Sequence, residues 1–159
     1  MFLKPDYNLE SIYDIDLEEL KNSGIRALLF DLDSTLMASK SGCYTEKTKQ
    51  WLDKVRQNFF IAIVSNNKNE KYIEKVKKIT DFPVLFNAKK PRTAEVEKFL
   101  EKHNLQVSDC VLVGDRPLTD ILCGKKLGCK TILVDSITAK TEAKIVRFVR
   151  KLERLTISR

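Results

Sequence analysis

The stretch Ala27–Leu36, ALLFDLDSTL, leaves this chain few ways to fold. Four apolar residues run into two aspartates one residue apart, followed by Ser34 and Thr35. So short an apolar run between polar residues suits a strand covered on both faces of a parallel sheet. Such a strand delivers Asp31 and Asp33 to the carboxyl edge of the sheet, where open α/β folds hold their ligands. Two carboxylates at i and i+2 repel each other unless a cation or a proton divides them. The pair suits magnesium-assisted phosphoryl transfer, with Asp31 as nucleophile and Asp33 as acid/base. The plainer alternative is two aspartates capping a strand-to-helix loop.

The pattern recurs along the chain. Ile61–Val64 is closed by Ser65-Asn66-Asn67, and Pro83–Phe86 leads to Lys90-Pro91. Cys110–Val113 runs into Gly114-Asp115 with Asp120 a short turn later, and Thr131–Val134 is a further run. Between them lie amphipathic stretches: Thr45 with Lys49 to Phe59, Glu70–Ile79, Thr93–His103 and Leu118–Leu127. Asp16 with Glu19 three residues on predicts a short helix beginning in Ile15–Leu20. Strands alternating with helices imply an α/β, doubly wound, Rossmann-like three-layer sandwich around a central parallel sheet. That topology brings the four polar strand ends to one edge. The 159 residues fit a single domain, 1–159, with a short N-terminal extension (1–24) and a basic C-terminal helix at about 141–155.

Composition narrows the class. The chain is 43% hydrophobic and 32% charged, as in water-soluble globular proteins, and no apolar run is long enough to span a bilayer. MFLKPDYNLE lacks the basic start and apolar core of a secretory signal, so a cytoplasmic setting is expected, with peripheral contact at the inner face of a membrane left open. Four cysteines form no CxxC, and Cys110 is expected to pack as a small hydrophobe. The one histidine, His103, sits in the polar sequence EKHN and is expected at the surface, which argues against histidine chemistry. The net charge of +7 is uneven: residues 1–20 hold one lysine against six acids, whereas 140–159 hold seven Lys/Arg against two glutamates. Such a tail suits an anionic partner: lipid, nucleic acid or the protein's own acidic end.

The strand ends carry the parts that phosphate-ester hydrolysis needs. Phosphoryl transfer asks mainly for positioning and charge neutralisation. Magnesium takes a few oxygen ligands, which Asp31, the Asp33 carbonyl and Asp115 are placed to supply. A serine hydroxyl at Ser65 with neighbouring amides, and the ammonium of Lys90, suit the phosphoryl oxygens. Alone, Ser65 reads as a loop residue, Lys90 as solvated surface and Gly114-Asp115 as a turn. Their order after successive strands makes the set specific.

The motifs DLDST, VSN, KKP and GDRPLTD resemble those of the haloacid dehalogenase superfamily, the last with its GDxxxxD form. Nearly the whole chain resembles the YqeG-type branch of that superfamily (subclass IIIA), small phosphatases associated with phosphatidylglycerophosphate. LKPDY, VSNN, AKKP, GDRPLTDI with GCKTILV, and RFVRKLERL carry the likeness. The resemblance implies a magnesium-dependent phosphatase without a large cap domain. In it Asp31 is the nucleophile, Asp33 the acid/base, and Ser65 and Lys90 the phosphate clamps, with Asn66 beside them at the substrate. Asp115 is a magnesium ligand, and Asp120 a magnesium-site or lysine-orienting carboxylate. The expected substrate is the phosphomonoester of phosphatidylglycerophosphate, and nucleic acid is not an expected partner. A soluble phosphomonoester, a phosphoprotein, or a phosphate-binding module without turnover are the alternatives. Two positions depart from the family pattern: Ser34 stands where asparagine is expected, and Arg116 where glutamine is expected. The charge at Arg116 bears on what the pocket accepts.

Overall fold

Four of the apolar runs become strands with both faces covered, and the run at Pro83–Phe86 becomes a half-buried edge strand. The computed structural model describes residues 3–137 and 152–155. Its strands are β1 (Tyr7–Leu9), β2 (Ala27–Phe30), β3 (Phe60–Val64), β4 (Val84–Leu85), β5 (Cys110–Gly114) and β6 (Lys130–Val134). They form one six-stranded sheet in the order β1-β6-β5-β2-β3-β4, with every pairing parallel. The helices are α1 (Leu17–Asn22), α2 (Glu46–Arg56), α3 (Glu70–Lys78), α4 (Ala94–Lys102) and α5 (Leu122–Leu127).

Alternation along the strands divides the core into two layers. Leu28, Phe30, Ile61, Ile63, Val111 and Val113 pack with Leu52 and Val55 of α2 and Val76 of α3. Ala27, Leu29, Ala62, Val64 and Leu112 pack on the opposite face with Val96, Phe99 and Leu100 of α4. Full burial of each large apolar side chain contributes about 1.5–3 kcal/mol. Helix starts are set by side-chain oxygens on orphan amides: Asp16 on Glu19 N at 3.0 Å, Thr45 on Thr48 N at 3.2 Å, and Asn69 on Tyr72 N at 3.0 Å.

Two elements differ from the sequence reading. Strand β1 was not expected, because three half-buried residues at a sheet edge make no apolar run. It is pinned instead by polar contacts, Asp6 Oδ2 accepting from Thr131 N at 2.8 Å and from Thr131 Oγ1 at 3.1 Å. The helix expected over Leu118–Leu127 opens as a π-helical turn, Pro117–Ile121, before α5. The helix expected over 141–155 lies outside the described residues except at 152–155. His103 is half-buried rather than fully at the surface, its ring 4.5 Å from Phe99 and 5.3 Å from Phe60, centroid to centroid. Cys110 is fully buried as expected, and the four cysteines are free.

From β2 the chain moves to β3 and β4 on one side, then crosses to β5 and β6 on the other. The reversal occurs beside β2, so the crevice of this α/β sheet opens at the residues that follow Phe30. Only the 12-residue segment 34–45 separates Asp33 from α2, which leaves no room for a large cap there. Among the described residues no helix is long and apolar enough to cross a membrane.

Candidate active site

Asp31 leaves β2 with its backbone still in the ladder, its N–H donating to Val113 O at 2.8 Å. The following turn is anchored by the buried side chains of Leu32, Leu36 and Met37. Ser34 adopts the left-handed conformation at φ 69°, a region where asparagine is more at home than serine. Two backbone hydrogen bonds hold it there: Ser34 N to Met37 O at 2.7 Å and Ile137 N to Ser34 O at 3.0 Å.

The electrostatic centre is a buried lysine between two carboxylates. Lys90 Nζ donates to Asp31 Oδ1 at 3.1 Å and to Asp120 Oδ1 at 2.6 Å, with its side chain 1% exposed. Asp120 Oδ2 in turn accepts from Arg116 N at 3.2 Å. Burial alone would lower the Lys90 pKa, but the charges of Asp120 and Asp31 outweigh it and hold the ammonium above its ordinary value. Burial, followed by the Asp120 charge, pushes Asp31 up to about 7, against the pull of Lys90.

Asn66 fixes which lysine takes this place. Its Oδ1 accepts from Lys90 N at 2.7 Å and its Nδ2 donates to Lys90 O at 2.9 Å, tying the end of β3 to the segment before α4. Lys89 is exposed, with φ at 60°. Ser65, 2% exposed, lies at the end of β3 with its N–H on Leu85 O at 2.8 Å and its Oγ accepting from Asn67 N at 3.1 Å.

Asp33 is gripped by groups the sequence did not assign to it. Tyr72 donates its hydroxyl to Asp33 Oδ1 at 2.5 Å, Lys40 N donates to the same oxygen at 3.0 Å, and Asn67 Nδ2 reaches Oδ2 at 3.4 Å. Burial and then the bond to Asp33 raise the Tyr72 pKa. In the sequence Tyr72 is one aromatic within the amphipathic stretch Glu70–Ile79. Its position one turn past the Asn69 cap was the usable signal, since helical side chains lean back toward the N-terminus. Thr35 Oγ1 likewise reaches Asp115 Oδ1, at 3.4 Å.

Asp31, Asp33, Ser65, Asn66, Lys90 and Asp115 thus share one cleft of about 250 Å³ at the carboxyl edge, with Asp120 buried behind Lys90. A larger groove of about 500 Å³ between β4 and α4 contains none of them. Asp31, Asp115 and Asp120 each offer a carboxylate oxygen, all within 4.8 Å of one another. Hard oxygen donors in this number fit magnesium. Both Asp120 oxygens already accept hydrogen bonds, from Lys90 and Arg116, so Asp31 and Asp115 are the better placed to hold the ion.

Two expectations follow from this geometry. A Cβ on Gly114 would lie 2.1 Å from Asp120 Oδ2 and 2.2 Å from its Cγ. Gly114→Ala should therefore push Asp120 off Lys90 and lower phosphate release by about a hundredfold, the scale of an ångström-sized misplacement. Activity within threefold of the parent in a folded variant would contradict it. The second concerns pH. Asp31 holds its proton more tightly when folded (about 7) than at its ordinary 3.8. Its contribution to stability is therefore complete below about 4 and declines as pH rises through about 7. In EDTA, the melting temperature of the parent should fall more between pH 4.5 and 8 than that of Asp31→Asn. Equal slopes would overturn the assignment.

Residues 1–138 match the family described as mitochondrial PGP phosphatase. The chain is 32% identical over 158 residues to the probable phosphatase YqeG of Bacillus subtilis (strain 168), covering 99% of this chain and 91% of that protein. It is 29% identical over 168 residues to phosphatidylglycerophosphate phosphatase 1, chloroplastic/mitochondrial, of Arabidopsis thaliana, over 99% of this chain and 48% of that protein. Among solved structures, an uncharacterized protein from Listeria monocytogenes serotype 4b aligns with TM-score 0.58 at 18% identity, over 69% of this chain and 78% of that one. A 2-haloacid dehalogenase from Pseudomonas syringae pv. Tomato DC3000 aligns with TM-score 0.50 at 14% identity, over 75% and 89% of the two chains, and shares the fold. Family match, fold and the carboxylate–lysine cleft agree: the chain belongs to the mitochondrial PGP phosphatase family and is a phosphatase of the haloacid dehalogenase fold.

Proposed function

We propose that this phosphatase removes the terminal phosphomonoester of phosphatidylglycerophosphate, leaving phosphatidylglycerol, through a phosphoryl group carried on Asp31. The observation that carries the reading is the buried Lys90 that joins Asp31 to the buried Asp120, beside Asp115, at the switch point of the sheet. The name of the Arabidopsis relative supports the lipid substrate. Lack of room for a large cap beside Asp33 suits a monoester presented from a large surface, and the basic tail suits peripheral contact with an anionic one.

Asp31 is the attacking group. One of its carboxylate oxygens bonds to phosphorus as the bond to the leaving glycerol oxygen breaks in line with it. Asp33, held by Tyr72, Asn67 and Lys40 N, gives its proton to that departing oxygen. It then takes a proton from the water that attacks phosphorus in the second step, freeing Asp31 and inorganic phosphate. Lys90 has three N–H groups, two of them spent on Asp31 and Asp120, and the third serves a phosphoryl oxygen. Ser65 Oγ takes another. Asn66 keeps Lys90 in register while bordering the substrate. Asp120 orients Lys90, and Asp31 and Asp115 would hold magnesium. When bound, the ion neutralises charge on the phosphoryl oxygens and on Asp31.

The deciding experiment measures phosphate release from phosphatidylglycerophosphate in mixed micelles beside soluble phosphomonoesters and a phosphopeptide, with magnesium and with EDTA. Magnesium-dependent release with the lipid favoured is the expected result. Preference for a soluble ester or the phosphopeptide would move the substrate assignment, and undiminished release in EDTA would remove the metal.

A further inference from the structure

We propose that Arg116 receives a second anionic group of the substrate, of phosphodiester type, and that Glu153 holds its guanidinium for that task. The inference rests on the phosphatase reading above and adds the residue that selects among phosphomonoesters. Among the described residues lining the cleft only two are cations, Lys90 and Arg116. Lys90 is already divided between two carboxylates and is almost fully buried, so its charge is spent on the reacting group. Arg116 is the cation left to face anything beyond it.

Its placement is built from both ends. The Arg116 backbone N–H is tied to Asp120 Oδ2, which fixes the Cα beside Asp115. At the other end, Nη2 donates to Glu153 Oε1, a carboxylate only 7% exposed that comes from the C-terminal segment. Arg154 anchors that segment, with Nη2 on Val134 O at 2.9 Å and 3.4 Å from Asp135 Oδ1. A guanidinium carries five N–H groups in a rigid fork matched to phosphate. Glu153 engages one edge, while the side chain remains 41% exposed at the cleft wall. A fork oriented on one edge and open on another is preorganised for a second anion at less entropic cost than a free surface arginine. Substrates whose monoester and diester phosphates are separated by a short spacer fit this arrangement; simple phosphomonoesters leave Arg116 unused.

The test reads binding apart from turnover. Asp31→Asn protein, loaded with magnesium, is titrated with glycerol 3-phosphate and with glycerophosphoglycerol phosphate, which adds a soluble phosphodiester. The diester compound should bind at least tenfold tighter. Adding Arg116→Gln should erase most of that ratio, Arg116→Lys should restore part of it, and Glu153→Gln should lower it by a smaller factor. In the otherwise unsubstituted enzyme the same changes should appear in KM for the diester compound more than in kcat. Equal binding of the two compounds, or an equal loss for both on Arg116→Gln, would overturn the inference. Absence of phosphate release by the unsubstituted enzyme would instead count against the phosphatase reading, so the two failures are distinguishable.

Discussion

Asp31→Asn should abolish phosphate release, with a loss of roughly a thousandfold or more, as for removal of other attacking groups. An amide oxygen has no negative charge to offer phosphorus, and the other described carboxylates of the site are engaged elsewhere: Asp33 by Tyr72, Asp115 by Thr35, and Asp120 by Lys90 and Arg116 N. Fold should survive, because the backbone bond of Asp31 to Val113 is kept and the amide oxygen of asparagine still accepts from Lys90 Nζ. Circular dichroism and thermal melting confirm the fold, and a phosphate-release assay reads the loss. Turnover within tenfold of the parent would sink Asp31 as nucleophile. Trapping a phosphorylated protein from the parent, but not from the variant, would locate the intermediate.

Lys90→Ala should do damage of two kinds. Catalytically, phosphoryl oxygens lose their buried cation, a change that costs on the order of 10²–10³ in kcat. Structurally, Asp31 and Asp120 are left facing each other without the ammonium between them, and breaking a buried pair in this way costs about 3–5 kcal/mol. Both carboxylates are easier to keep when one is protonated, so the variant should lose more stability than the parent as pH rises through neutrality. Lys89→Ala is the control. Its side chain is exposed, and its removal should shift stability by less than about 0.5 kcal/mol. A silent Lys90→Ala beside a crippled Lys89→Ala would mean that the lysine register is off by one.

What could be read from the sequence followed burial. Strands β2, β3, β5 and β6 are apolar on both faces, and their runs mark them within a residue or two. Strand β1 has no such mark: Tyr7, Asn8 and Leu9 are half-buried, and the tie that holds them is a carboxylate on a distant amide. The same distinction divides the site. Asp31, Asp33, Ser65, Asn66, Lys90 and Asp115 were legible because each follows a strand, and strand ends converge in a parallel sheet. Tyr72 and Glu153 were not, since one lies on a helix face and the other in the C-terminal segment, both brought in by tertiary packing. Asp120 was legible as a carboxylate of the site but open as to role, and its bond to Lys90 favours orientation of the lysine.

The pairing of β1 with β6 also sets an order of events during synthesis. Asp6 bonds to Thr131 across 125 positions of chain, and among the described residues Tyr7–Leu9 pair with Ile132–Val134 alone. While a ribosome is still making the middle of the chain, Asp6 and Tyr7–Leu9 wait for Thr131–Val134. At 5–20 residues per second the wait is roughly ten seconds. Throughout it β1 must be kept from pairing elsewhere, and two traits suit that wait: the strand is three residues long and acids flank it at Asp6 and Glu10.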